Sequence, residues 1–255
     1  MGEKIGILGG SFNPMHRGHL DICIKLHEYF RLDRVVLLPN HTPPHKSGLQ
    51  LDYEGRVQLI AQAIDGYPYM EISLFEQDRR PHFTYHTLRS LRHHHPEAEL
   101  FFAMGMDSLL TLPQWHNGLQ LTEFAHLAVF SRHGYDLAAA PAALREYLQG
   151  RTVAFTRPAR IPHPIPAQPA AHEAHHAPQA DPAAHAGLHA AHGGRPNRGQ
   201  VFLIGEYPPE VSATQVRRLL DDYYALKSEQ ALSLLYGLLG NRVMETIMRE
   251  GYYRR

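Results

Sequence analysis

Apolar residues along this chain follow two rhythms, short unbroken runs and longer stripes at helical spacing. Ile5-Gly6-Ile7-Leu8 is a run of the first kind, ended by Gly9-Gly10, the pattern of a buried strand that leads into a tight turn. Val35-Val36-Leu37-Leu38 repeats it and stops at Pro39. Further strands are predicted at Glu71–Phe75, Leu100–Met104, Leu127–Phe130 and Val201–Ile204. Between the first two runs, Ile22, Leu26, Tyr29 and Phe30 stand at i, i+4, i+7 and i+8, one apolar helical stripe. Val57, Ile60, Ala61 and Ile64 form a second stripe, and helices are also predicted at Thr84–His94 and Ala142–Leu148. Strands separated by helices of this length imply βαβ units, so the expected fold class is α/β, a Rossmann-like doubly wound parallel sheet. Past the last strand, Val216, Leu219, Leu220, Tyr223 and Tyr224 form another stripe, and Ser212 with Gln215 has the S-x-x-Q spacing of a capping box at its start. Helices expected at Glu229–Leu239 and Arg242–Glu250 complete a small helical C-terminal part.

Residues 158–198 keep neither rhythm. Ala, Pro and His dominate them, with too little bulky apolar surface to form a core, so they read as a flexible insertion within a single domain spanning residues 1–255. Removing residues 160–197 is expected to leave activity largely intact. Inside it, His172-Glu173-Ala174-His175-His176 satisfies the H-E-x-x-H pattern of zinc proteases. That chemistry needs a stable helix and a third ligand, whereas Pro169 and Pro178 confine any helix to about two turns. A chance match in a His-rich stretch is the better account, and weak adventitious binding of Zn²⁺ or Ni²⁺ is the most its imidazoles offer.

Composition narrows the function classes. The chain has 255 residues, with Lys and Arg totalling 25 and Asp and Glu totalling 25. That balance argues against nucleic acid or an anionic membrane surface as partner, while leaving room for a local phosphate pocket. Cys23 is the single cysteine, so neither an internal disulfide nor a Cys-rich zinc site can form, and its place in a predicted helix suits a buried inert thiol. Met1-Gly2-Glu3-Lys4 leads straight into a strand with no apolar signal region, and no run of 18 apolar residues occurs. A soluble, cytoplasmic protein is expected.

The chemistry concentrates in Gly9-Gly10-Ser11-Phe12-Asn13-Pro14-Met15-His16-Arg17-Gly18-His19, between the first strand and the first helix. Glycines let a ligand approach the backbone, and a helix N-terminus offers unpaired N–H groups and a positive dipole end to an anion. His16 and His19, three apart across Gly18, can both address one phosphate. Neither a G-x-x-x-x-G-K-[ST] loop nor a G-x-G-x-x-G fingerprint is present.

This stretch resembles the H-x-G-H nucleotidyltransferases, and more closely the bacterial nicotinate-nucleotide adenylyltransferases, whose opening reads G-G-[ST]-F-[DN]-P-[IV]-H-x-G-H-L; Met15 is the departure. Four further blocks resemble the family in order. They are Pro39 to Lys46, with Pro43-Pro44-His45-Lys46; Pro81 to Leu88, with Thr84 and Thr87 and with His82 in place of serine; Gly105-Met106-Asp107-Ser108-Leu109 followed by Trp115; and Val211 to Arg217. The resemblance implies transfer of the AMP moiety of ATP to nicotinate mononucleotide, giving nicotinate adenine dinucleotide and pyrophosphate. It assigns His16 and His19 to catalysis. Gly9, Gly10, Ser11, Phe12, Gly105, Asp107, Ser212, Thr214 and Arg217 would join them in binding ATP. Asn40, His45, Lys46, Thr84, Trp115, His116 and Arg132 would bind the acceptor, with Trp115 stacked on the pyridine ring and Asp107 at the ATP ribose. Mg²⁺ would arrive with ATP, with no metal site made by protein alone. Nicotinamide mononucleotide or another phosphorylated acceptor stays open as the alternative, as does assembly into a homo-oligomer.

Residue type alone supports plainer roles as well. A single tryptophan such as Trp115 is commonly a core residue, Lys46 suits a solvated surface, and Asp107 could serve as a helix cap. Tyr252, Tyr253, Arg254 and Arg255 read as a terminal helix end without chemistry.

Overall fold

Side chains alternate along the central strands between two buried faces, which makes a covered parallel sheet the economical arrangement. The computed structural model describes residues 2–41, 50–77, 82–131, 137, 140–155, 199–205 and 211–254. Strands β1 (Lys4–Gly10), β2 (Arg34–Pro39), β3 (Met70–Ile72), β4 (Glu99–Gly105), β5 (His126–Phe130), β6 (Thr152–Ala154) and β7 (Val201–Ile204) form one sheet in the order β3-β2-β1-β4-β5-β7-β6. Every pairing in it is parallel. The chain builds outward from β1 to β3, then returns to place β4 on the other side of β1. That reversal puts a crevice beyond the carboxyl ends of β1 and β4, where open α/β sheets hold their ligands.

Period two sorts the core. Leu100, Phe102 and Met104 face one way and join Ile5, Ile7, Leu127 and Val129 beneath Leu88 of helix α3 (Thr84–His94). Phe101 and Ala103 face the other way, with Val35, Leu37, Ala128 and Phe130, against helix α1 (Arg17–Phe30). Each fully buried aliphatic or aromatic side chain here contributes about 1.5–3 kcal/mol. The buried stripe of α1 runs through Cys23, Leu26, Tyr29 and Phe30, with the expected Ile22 half-buried beside it. Burial raises the Cys23 thiol pKa far above its ordinary value, in keeping with an inert thiol.

Helix α2 (Tyr53–Ile64) departs from the expected stripe, because Val57 is half-buried and Ala61 exposed. It buries two faces at once. Ile60 and Ile64 enter the sheet core, and Leu59 enters a third cluster formed with the C-terminal helices. That cluster joins Leu59 to helices α6 (Ala213–Leu226), α7 (Glu229–Leu239) and α8 (Asn241–Glu250), through Val216, Leu220, Leu235, Val243 and Ile247. Helices α4 (Met106–Thr111) and α5 (Ala142–Leu148) cap the first face, through Leu109 and Leu144.

Two strand expectations change. Glu71–Phe75 shortens to Met70–Ile72, because β3 is a sheet edge with only β2 to pair and the chain turns at Leu74–Gln77, where Gln77 N–H donates to Leu74 O. The three residues of β6, paired only with β7, were not expected, since so short an edge strand carries no readable period. The expected insertion at 158–198 lies outside the described residues, as do His45, Lys46 and Arg132.

Candidate active site

The first strand ends in a loop whose geometry is set by its own sequence. A Cβ on Gly9 would meet only Phe102, at 3.7 Å, and one on Gly10 only the Phe12 ring, at 3.5 Å. These are ordinary contacts, so packing does not require either glycine; what the missing side chains leave is an approachable backbone. Phe12 and Met15 are buried in the core beneath the loop, so Met15 does the apolar work of the branched residue usual at that position. The Asn13–Pro14 peptide is cis.

His16 occupies the N-cap of α1 and is almost fully buried. Its ring stacks on that of His19, with centroids 3.8 Å apart and planes 24° apart, and Phe12 meets His19 edge-on at 5.1 Å. The His16 backbone N–H donates to His19 Nδ1 at 3.3 Å. That bond selects the His19 tautomer with its proton on Nε2, a donor suited to a phosphate oxygen. Gly18, unlike Gly9 and Gly10, is demanded by packing. A Cβ there would stand 2.9 Å from Val211 Cγ1 and 3.2 Å from the His16 ring.

Val211 leads into α6, so Gly18 allows a second helix N-terminus to pack against the first. Ser212 caps α6: its Oγ accepts the Gln215 N–H at 3.2 Å, and Gln215 Oε1 accepts the Ser212 N–H at 2.8 Å, the expected capping box. Arg217, one turn on, donates from Nη1 to Asn13 O at 2.7 Å and from Nη2 to Thr214 Oγ1 at 3.1 Å. Residues 204 apart in sequence are thereby clamped together. Two helix starts, two imidazoles and a guanidinium converge outside β1, a set suited to polyphosphate.

At the adjacent β4, Gly105 is the N-cap of α4, and a Cβ on it would lie 2.3 Å from Asp107 Oδ1. Glycine is therefore what lets the Asp107 carboxylate fold back over the strand end. Asp107 lies in the first turn of α4, which starts at Met106, so it is not the helix cap; it is exposed toward the crevice end of the sheet. Further along, Trp115 serves two surfaces. It packs on the core cluster yet is only half-buried, and its Nε1–H donates to Thr111 Oγ1 at 3.3 Å. His116 lies against the start of α3, with ring centroids 4.8 Å from Phe83 and 5.0 Å from His86. Thr84 and His116, far apart in sequence, thus sit at one place, beside an α3 N-terminus whose cap residue Phe83 offers no side-chain bond. Burial, then the neighbouring His116, Arg89 and His82, lower the His86 pKa.

The chain is similar to known proteins over most of its length. The family model described as "Cytidylyltransferase-like" matches residues 7–219. A Shewanella baltica protein named "Probable nicotinate-nucleotide adenylyltransferase" is 35% identical over 218 residues, 85% of this chain and 88% of its own. One of the same name from Shewanella sediminis is 39% identical over 145 residues, 56% of this chain and 69% of its own. The chain belongs to the nicotinate-nucleotide adenylyltransferase family. The fold extends further: the nicotinic acid mononucleotide adenylyltransferase of Plasmodium falciparum, in a structure with nicotinate adenine dinucleotide (NaAD), superposes with a TM-score of 0.62 at 14% identity, covering 98% of this chain and 97% of that one.

Within this family member, several residues that shape the site escaped motif reading. Arg56 on α2 is 1% exposed, and its guanidinium reaches the backbone carbonyls of Ser11, Asn40 and His41. Tyr253, expected to be inert, is buried, and its hydroxyl donates to Asn13 Oδ1 at 2.7 Å. Buried Thr87 donates to Glu76 Oε1 at 2.7 Å, tying α3 to the segment after β3. The only sequence signal for Arg56 was its charge inside an otherwise apolar helix face.

Proposed function

We propose that the protein joins ATP and nicotinate mononucleotide to give nicotinate adenine dinucleotide and pyrophosphate, a step of NAD synthesis. The observation that carries this reading is the clamp between Asn13 and Arg217, which sets the His16–His19 helix start beside the Ser212–Thr214 helix start at the end of β1. An oxygen of the acceptor's phosphate attacks the α-phosphorus of ATP, the bond to the bridging oxygen breaks, and pyrophosphate leaves with that electron pair. The nucleophile is already anionic, so no general base is required. The protein's task is alignment and charge stabilisation. His19, with its Nε2 proton, bears on the α-phosphate; His16, Arg217 and the α6 amides hold the β- and γ-phosphates; Asp107 takes the ribose hydroxyls. On the other side, Asn40 and Lys46 address the acceptor's phosphate, Trp115 stacks on its ring, and amides near Thr84 and His116 receive its carboxylate, with His45 and Arg132 alongside.

Mg²⁺ would enter with ATP and supply further charge stabilisation there. The side chains around the loop are imidazole, guanidinium and hydroxyl, donors for phosphate oxygen rather than a cage for a hard cation. In this reading residues 1–255 act as one domain, in the cytoplasm, with segment 158–198 as an insertion. Among the described residues no helix is long and apolar enough to cross a membrane.

Pyrophosphate release with Mg²⁺ and ATP tests the proposal, comparing nicotinate mononucleotide, nicotinamide mononucleotide and phosphopantetheine. A strong preference for the nicotinate acceptor is expected, together with a loss of about 10²–10³ in kcat for His19→Ala, the usual cost of removing one transition-state donor. Equal use of both pyridine acceptors would reassign the specificity, and activity with none of the three would sink the reaction.

A further inference from the structure

A buried arginine on α2 links the two halves of this site from behind. Arg56 is 1% exposed, and its Nη1–H donates to Ser11 O at 2.6 Å while Nη2 donates to Asn40 O at 2.9 Å and His41 O at 3.2 Å. Ser11 belongs to the loop after β1, and Asn40 and His41 follow β2, so one guanidinium spans the carboxyl ends of two adjacent strands. No carboxylate among the described residues pairs with it. Burying an arginine in this way costs several kcal/mol, which a fold can avoid by using an apolar residue of similar size. Leu59 and Ile60 on the same helix are such residues, fully buried without polar atoms. What an apolar residue cannot supply is a rigid planar fork that fixes two separate loops at a set spacing.

Resting on the function proposed above, we propose that Arg56 is a positioning residue for transfer: it sets the distance between the ATP loop and the acceptor loop, and so the in-line approach of the acceptor's phosphate to the α-phosphorus. It touches neither substrate. Its contacts are to backbone, so they persist whatever side chains the two loops carry. Misplacing either loop by about an ångström costs on the order of a hundredfold in rate while leaving each substrate's own contacts in place. A lysine at this position keeps the charge but has a single nitrogen, and cannot hold both loops at the present spacing.

The test uses the full-length enzyme and Arg56→Lys, with Arg56→Met as a second variant. Thermal unfolding first establishes the folded fraction, and kcat and both KM values are then measured per folded molecule, with wild-type turnover as the reference. For Arg56→Lys the expected result is a tenfold or greater fall in kcat with both KM values within threefold, and for Arg56→Met a larger fall of the same kind. As a control, Leu239→Ala in the C-terminal cluster, chosen to lower Tm comparably, should leave kcat per folded molecule within threefold. Variants whose kcat stays within threefold of wild type, or falls no further than the control's, would overturn the proposal. Failure of both variants to fold would also overturn it, by making Arg56 a residue of the core alone. Absence of turnover in the wild type would instead defeat the functional reading and is seen before any variant is made.

Discussion

Tyr253, near the C-terminus, closes onto the loop that opens the site. Its backbone adopts φ = 61°, outside the range favoured by most residues, and its buried hydroxyl donates to Asn13 Oδ1. Burial raises that hydroxyl's pKa, which keeps it a protonated donor at any physiological pH. Asn13 is itself buried, so Tyr253→Phe removes the donor and leaves an amide oxygen without its bond. Such a loss costs about 1–3 kcal/mol. In a chain of this size it should lower Tm by roughly 2–12 °C, since each kcal/mol shifts Tm by about 2–4 °C. Calorimetry reads this directly, and an unchanged Tm would mean the contact contributes nothing. The same residue shows where sequence reading stops. His16, His19 and Ser212 carried a readable signal because each has a partner three positions away at a helix start, whereas Arg217 was reached only through the family resemblance, since its bond to Asn13 spans 204 positions. Arg56 and Tyr253 act on carbonyl and amide groups reached only through the tertiary fold, and no local spacing announces them.

At the scale of elements, short unbroken apolar runs separated by helices of crossover length were enough to imply a parallel sheet, and Gly9-Gly10 marked the tight turn at the end of β1. Helix α2 was harder, because it contacts the sheet and the C-terminal helices on different sides, and a single apolar stripe cannot describe two interfaces. Strand β5 offers a prediction of its own. Its first residue, His126, accepts the Gln200 N–H on Nδ1 at 3.0 Å, stacks on Phe101 at 4.9 Å and places Nε2 3.4 Å from Glu99. Burial outweighs the attraction of Glu99, so the His126 pKa is lowered, and burial likewise lowers His95 and His86. A histidine with a depressed folded pKa is less protonated in the native state than when unfolded. Its stabilising contribution is therefore present above the unfolded value of about 6.5 and is lost as pH falls through and below it. Urea unfolding should accordingly give a lower midpoint at pH 5.5 than at pH 7.5. His126→Asn, which keeps an acceptor for Gln200, should reduce that difference, and a midpoint independent of pH would contradict the assignment.

The largest sequence feature outside the family-like blocks is the segment between the last two strands of the sheet. β6 and β7 run parallel with Thr152 opposite Val201, so the chain leaving Phe155 must return to the start of β7 near Gly199. At about 3.3 Å per residue and 4.8 Å between strands, those ends are about 17 Å apart in a straight line. The path must also round the sheet, so a connection of only five or six residues would be taut. Deleting 165–193 leaves ~14 residues, with a reach of about 50 Å, ample for the return. The β7 entry is held independently of the removed residues, since Gly199 N–H donates to Thr122 O at 2.8 Å and a Cβ at Gly199 would stand 2.4 Å from Ala125 O. The deleted chain is expected to keep kcat/KM for both substrates within about threefold and Tm within a few degrees. It should also lose whatever Zn²⁺ or Ni²⁺ affinity the full chain shows on a metal column, because the deletion removes the H-E-x-x-H match and most of the clustered histidines. A fall in Tm beyond about 10 °C would instead make the segment part of the fold. Loss of turnover at an unchanged Tm would place it over the site.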